Sequence, residues 1–150
     1  MDISGMMAPD RIVALGSQVK EEALVELARI LATGTTVKDA EDLVKAILDR
    51  EEIMSTGIGQ EFAVPHAKLT DIRHFSIAVG TCKDGMEYGS LDKLPVRVIT
   101  MIAAPEGEQN TYLKVLKKVT EVLKIKANRN RIVDLIESGN TTAVIDLFRE

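Results

Sequence analysis

His66 follows Pro65 at the end of the apolar run Phe62-Ala63-Val64, downstream of the hydroxyl- and glycine-bearing stretch Ser55-Thr56-Gly57-Ile58-Gly59. Imidazole is largely uncharged near neutral pH and offers one ring nitrogen as a nucleophile, so a histidine in this setting can take a phosphoryl group. The oxygens of that group need donors. Backbone N–H groups exposed at Gly57 and Gly59, the hydroxyls of Ser55 and Thr56, and the guanidinium of Arg50, five residues before Ser55, are of the required kind. Taken singly, each part has a plainer use. Glycines mark turns with positive φ, and a histidine beside a strand commonly satisfies a buried polar position. The assembled segment is what points to phosphohistidine chemistry.

The elements around this segment can be read from hydrophobic periodicity. Arg11 to Leu15 reads as a first strand ended by Gly16, and Ser17 can cap the amphipathic helix over 19–32, where Leu24, Leu27, Ala28 and Leu31 share a face. Thr36-Val37-Lys38-Asp39 resembles a capping box that opens a second helix to about Arg50, with Ala40, Val44, Ile47 and Leu48 inward. Arg50 is thus expected at a helix C-terminus. Phe62 to Val64 is a short strand that Pro65 halts, which leaves His66 at its end. Phe75 to Thr81 and Val96 to Ala103 are rich in β-branched residues and read as central strands. Turn signals at Lys83-Asp84-Gly85 and Tyr88-Gly89 lie between them. A helix capped by Asn110 or Thr111 runs to about Lys126, with Tyr112, Leu116, Val119 and Leu123 on one face. Shorter helices fit 130–138 and 141–148. Strands and helices mix without strict alternation, which predicts an α+β fold: a three-layer α/β/α sandwich around a central mixed β-sheet.

Composition narrows the function classes. At 150 residues the chain suits one domain, 1–150, and its 45% hydrophobic and 28% charged content is that of a soluble globular protein. No apolar stretch approaches a membrane span and no signal-type N-terminus is visible, so a cytoplasmic location is expected, in agreement with the single cysteine, Cys82. A net charge of −4, dispersed basic residues and few aromatics give no footprint for nucleic acid. Lys114, Lys117, Lys118, Lys124 and Lys126 read as a solvated helix face. Two histidines and one cysteine show no metal-ligand spacing, His74 reads as a loop histidine, and no Walker-type lysine loop is present. Neither metal nor cofactor is expected.

The stretch from Arg50 to Ala67 closely resembles the phosphorylation-site signature of the fructose/mannitol-type enzyme IIA domains of the bacterial phosphotransferase system, including their nitrogen-regulatory branch. Arg50-Glu51, the Ser55 to Gly59 turn, and Pro65-His66 followed by Ala67 all take part, and the element order agrees from Met7-Ala8-Pro9-Asp10-Arg11-Ile12-Val13 to the last helix. The resemblance implies that His66 accepts a phosphoryl group from a histidine-phosphorylated carrier protein and passes it to an enzyme IIB in sugar uptake, a phosphotransferase role that touches the membrane only through a permease. It also implies that Arg50 sits near the phosphate. Most members carry a second histidine before a helix-opening leucine, where this chain has Tyr112. Tyrosine can donate one hydrogen bond but carries no positive charge at neutral pH. Its ring can equally pack with Leu116 and Val119. The substitution favours an alternative in which the phosphorylation state of His66 controls binding to a regulatory target, a transporter or a kinase.

Overall fold

In the computed structural model, which describes residues 1–149, one six-stranded mixed sheet forms the middle layer. Its strands are β1 (Ile12–Ala14), β2 (Gly57–Gly59), β3 (Phe62–Ala63), β4 (His66–Leu69), β5 (Ser76–Met86) and β6 (Val96–Pro105). The order is β1-β5-β6-β3-β2, with β4 also on β6. β1 runs parallel to β5, β5 antiparallel to β6, and β3 and β4 parallel to β6. Five helices cover the two faces: α1 (Lys20–Ala32), α2 (Ala40–Ile53), α3 (Gln109–Leu123), α4 (Lys126–Glu137) and α5 (Thr141–Asp146).

The two-residue period of the central strands divides the core. Ala78 and Cys82 of β5 and Ile99, Met101 and Ala103 of β6 pack with Leu24, Leu27 and Leu31 of α1 and Leu43 and Ile47 of α2. Ile77, Val79, Val98 and Ile102 face the other way, onto Val115 and Val119 of α3, Ile132 and Val133 of α4 and Val144 of α5. The expected three-layer sandwich is the observed one. Among the described residues, no helix is long and apolar enough to cross a membrane.

Several boundaries differ from expectation. Asp39 caps α2 by accepting the Glu41 N–H at 3.0 Å, whereas the Thr36 hydroxyl donates to the Asp71 carbonyl. α2 continues past Arg50 to Ile53, which leaves Arg50 in its last turn. Lys83-Asp84-Gly85 does not reverse the chain. It lies within β5, where Gly85 at φ +84° accommodates a register shift between Thr81 and Met86. α4 begins at Lys126 rather than at Asn130, because α3 ends early. There Asn128 donates to the Val122 carbonyl and Arg129 to the Leu123 carbonyl, satisfying the end of α3.

Pro65 interrupts a strand without ending it. Phe62 pairs with Val98, Ala63 with Ile99 and His66 with Ile102, so the offset along β6 stays at 36 residues across the break. The Pro65 carbonyl accepts the Ile102 N–H at 3.0 Å and keeps the ladder in step. His66 therefore opens β4, where sequence reading had placed it at a strand end. Because neighbours in parallel register share a face, His66 and Lys68 project with Ile102 towards α3.

Candidate functional site

His66 is half-buried between the sheet and the start of α3. Its Nδ1 lies 3.2 Å from the Val64 carbonyl. A carbonyl can only accept, so in the neutral ring Nδ1 carries the hydrogen and the lone pair sits on Nε2. Burial lowers the imidazole pKa. The Val64 hydrogen bond opposes this, Arg50 and Lys68 lower the pKa further, and Glu51 opposes them. The net shift is downward, so at neutral pH His66 is an uncharged ring with a nucleophilic nitrogen available.

Tyr112, in the first turn of α3, is buried against it, with ring centroids 5.0 Å apart and planes tilted by 44°. Burial raises the Tyr112 pKa against a smaller opposing pull from Arg50, so the phenol stays protonated. Lys68 stands over the outer part of this arrangement. Its Nζ lies 4.6 Å from the Tyr112 ring centroid and donates to the Gln109 side-chain carbonyl.

Arg50 reaches the same place from α2. Its Nη1 donates to the Met54 carbonyl at 3.0 Å, just past the helix end, and its charge is felt by both His66 and Tyr112. The residue after it has a different task. Glu51 is buried, and its carboxylate accepts the Thr56 hydroxyl at 2.5 Å, the Thr56 N–H at 2.8 Å and the Tyr88 hydroxyl at 3.2 Å. Lys20 of α1 pairs with it at 2.9 Å and also donates to the Tyr88 carbonyl at 2.9 Å. Burial raises the Glu51 pKa, but the Thr56 hydroxyl, Lys20 and the Thr56 N–H together outweigh it and leave the carboxyl ionised, below the usual range.

These contacts redistribute the roles expected from sequence. The donors of Thr56 are both committed to Glu51, so Thr56 anchors the loop and is not free to bind phosphate. Its carbonyl accepts the Val64 N–H at 3.1 Å and ties the loop to the strand that carries His66. The Ser55 Oγ accepts the Gly57 N–H at 3.1 Å, which occupies that amide, while the Ser55 O–H is left to donate. Gly57 is needed for close approach, since a Cβ there would lie 2.2 Å from Ser90 Oγ and 2.9 Å from Tyr88 Cδ1. Gly59, at φ +105°, pairs with Phe62 at the turn of the β2–β3 hairpin, beside the Asp92 carboxylate. The structure therefore sets Tyr112 against His66, brings the charge of Arg50 within reach of both, ties the Ser55–Thr56 loop to the strand that leads to His66, and leaves Gly59 to the hairpin. It adds Lys68, Tyr88 and Lys20, and gives Glu51, which the signature already set beside Arg50, its partners. Two-residue spacing from His66 on one strand was the available signal for Lys68. Lys20 and Tyr88 are distant in sequence and gave none.

His74 is exposed in its loop, near the Gly34 carbonyl, and Cys82 is buried and free.

Residues 7–150 match the model of the family described as "Phosphoenolpyruvate-dependent sugar phosphotransferase system, EIIA 2". A fructose-specific EIIABC component from Bacillus subtilis is 37% identical over 134 residues, which cover 89% of this chain and 21% of that protein. The chain thus spans about a fifth of that relative's length. A nitrogen regulatory protein from Bradyrhizobium diazoefficiens is 30% identical over 125 residues, covering 83% of this chain and 81% of that protein. Among solved structures, the nitrogen regulatory protein IIA-Ntr from Neisseria meningitidis superposes with a TM-score of 0.83 at 21% identity, covering 97% of this chain and 98% of that one. The mannitol enzyme IIA from Escherichia coli, solved in complex with phosphorylated mannitol enzyme IIB, gives 0.76 at 21% identity, covering 93% and 96%. At these identities the structural likeness speaks for the fold.

Proposed function

From its place in the EIIA 2 family of the phosphoenolpyruvate-dependent sugar phosphotransferase system, to which this chain belongs, we propose that it is a phosphocarrier whose acceptor atom is His66 Nε2. The observation that carries this reading is the Nδ1 contact to the Val64 carbonyl, which leaves Nε2 as the nucleophile.

The Nε2 lone pair attacks the phosphorus of a phosphohistidine on a carrier protein, in line with the bond to the donor's ring. That P–N bond breaks, and its electron pair returns to the donor imidazole. The proton of His66 stays on Nδ1, donated in a hydrogen bond to the Val64 carbonyl throughout, so the acceptor needs no base. Catalysis is positioning and charge compensation. The Arg50 guanidinium faces the incoming charge, and the Ser55 hydroxyl supplies a donor. Glu51 and Thr56 hold the loop in place from behind. Discharge is the reverse step onto an enzyme IIB, a partner suggested by the EIIABC relative and by the mannitol complex.

The test is incubation with phosphoenolpyruvate, enzyme I and the phosphohistidine carrier protein, followed by phosphosite mapping. Label on His66 alone, absent from His66→Ala, supports the proposal. Label on His74, or wild-type label on His66→Ala, overturns it.

Tyr112 favours a second reading. A neutral aromatic ring beside His66 supplies no charge to drive discharge, and the 30% identity to a nitrogen regulatory protein over 81% of its length fits a switch in which phosphate alters partner binding. Fast discharge to an enzyme IIB argues for transport, and stable phosphate with altered target affinity argues for regulation.

A further inference from the structure

The geometry points to Lys68 as a second phosphate-binding cation of the His66 site, beside Arg50 in role; this rests on the phosphocarrier reading. Three observations converge on it. First, β4 pairs with β6 in unbroken parallel register, so His66 and Lys68, two residues apart, leave the strand on the same face. Secondly, the Lys68 ammonium is held only by neutral groups, the Tyr112 ring face at 4.6 Å and the Gln109 amide oxygen. Among the described residues no carboxylate pairs with it. Thirdly, the ring it covers is the one lying 5.0 Å from the imidazole.

Arg50 is likewise bonded to a neutral carbonyl, that of Met54. The unphosphorylated site therefore holds two cations, from α2 and from β4, around an uncharged imidazole. Glu51 is the acidic group that opposes them, and it is already engaged by Lys20. Both cations push the imidazole towards its neutral form, which places Lys68 within electrostatic reach of the ring. Such an arrangement is poised for an anion. A phosphoryl dianion on Nε2 gives each cation a charged partner stronger than the neutral one it holds, and a lysine on a flexible four-carbon stem can swing from the ring face to a phosphoryl oxygen. In this account Lys68 supplies the charge that Tyr112 cannot.

The experiment compares wild type, Lys68→Met and Lys68→Arg for the rate of phosphoryl uptake from the carrier protein and for the 31P titration of the phosphorylated protein. Loss of a charge-assisted contact should slow uptake by about tenfold or more in Lys68→Met. The second ionisation of the phosphoryl group should move to higher pH, and Lys68→Arg should restore both. A purely structural lysine would leave the 31P titration unmoved. Lys68 is half-exposed, and Lys68→Gln serves as the second neutral variant should the methionine form fold poorly. Wild-type uptake with an unchanged 31P titration in a neutral variant overturns the role of Lys68 while leaving the phosphocarrier reading intact. No label on wild-type His66 overturns both.

Discussion

The Glu51 carboxylate accepts both the hydroxyl of Thr56, at 2.5 Å, and its backbone N–H, at 2.8 Å. A helix end and the Ser55–Thr56 loop are thereby fixed to each other through one buried anion, which Lys20 compensates from a third element. Arg50 immediately precedes that anion and Ser55 immediately precedes that threonine. The clamp thus sets the distance between the two groups proposed to meet the phosphoryl oxygens.

Glu51→Gln should cost about 3 kcal/mol, since it leaves Lys20 without its counter-charge in a partly buried position. For a chain of this size that is a fall of roughly 6–12 °C in melting temperature. The pH dependence has a defined sign. The folded pKa of Glu51 is depressed, so its contribution is complete above the ordinary glutamate value of about 4.3 and is lost as pH falls through the lower folded value. Thermal melts from pH 7 to pH 3 should show a shallower acid loss in Glu51→Gln than in wild type. Parallel curves would exclude the clamp as a source of stability.

Gly57→Ala should destabilise by about 1–3 kcal/mol, because the new methyl group overlaps Ser90 Oγ and crowds Tyr88. Removing the Ser90 side chain in Gly57→Ala/Ser90→Gly should recover part of the loss. If the double variant is no more stable than the sum of the single changes predicts, as denaturant midpoints would show, the crowding is not at Ser90.

The layers of this fold were legible because each rests on a local period. Leu24, Leu27 and Leu31 repeat at helical spacing, and the runs behind β5 and β6 are rich in β-branched residues, the second almost continuously apolar. The strand β4 was not legible, since Pro65 reads as a terminator and only pairing with Ile102 shows that the ladder resumes. The site divided in the same way. His66, Arg50 and the Ser55 loop are contiguous enough for sequence to assemble. The commitment of Thr56 to Glu51 depends on Lys20 and Tyr88, which the fold brings in from 31 residues before and 37 residues after Glu51. Gly57 and Gly59 look alike in sequence. One is dictated by a neighbouring serine and the other by a hairpin turn.

Arg50→Ala should slow phosphoryl uptake by about 10- to 100-fold, the worth of one charge-assisted hydrogen bond in the transferring state. Its contact with the Met54 carbonyl is exposed, so the melting temperature should fall by only a few degrees. Unchanged uptake with a collapsed melting temperature would make Arg50 a helix cap instead.

The imidazole of His66 should titrate below the ordinary histidine value of about 6.5, chiefly because it is buried. Uptake should then be flat from pH 8 to pH 7 and decline only as pH falls through the ring's own pKa. The stability sign follows from the same shift. The fold favours the neutral ring, so stability is lost as pH falls from about 6.5, and the loss is complete below the folded pKa. Wild type should lose more stability than His66→Gln over that window. A histidine proton titrating at or above 6.5 by NMR would contradict the burial argument.

Tyr112 is the position where charge and packing pull apart. Its ring is buried and covers His66, so Tyr112→Ala should cost about 3–5 kcal/mol, and Tyr112→Phe should preserve both stability and uptake if the ring matters more than the hydroxyl. Tyr112→His introduces a second imidazole that can donate to a phosphoryl oxygen in its charged form. One such bond, realised in the transition state, is worth about 1.5–3 kcal/mol, or roughly tenfold or more in the rate of discharge to an enzyme IIB. The gain should be larger in a Lys68→Met background, where no other cation stands on that face, than in the wild-type background. Two measurements on each protein decide the matter: the unfolding midpoint and the rate of phosphate loss to enzyme IIB. A stably folded Tyr112→His protein that discharges no faster in either background would show that charge at this position does not limit transfer, and the tyrosine would then carry no weight as a mark of a regulatory protein.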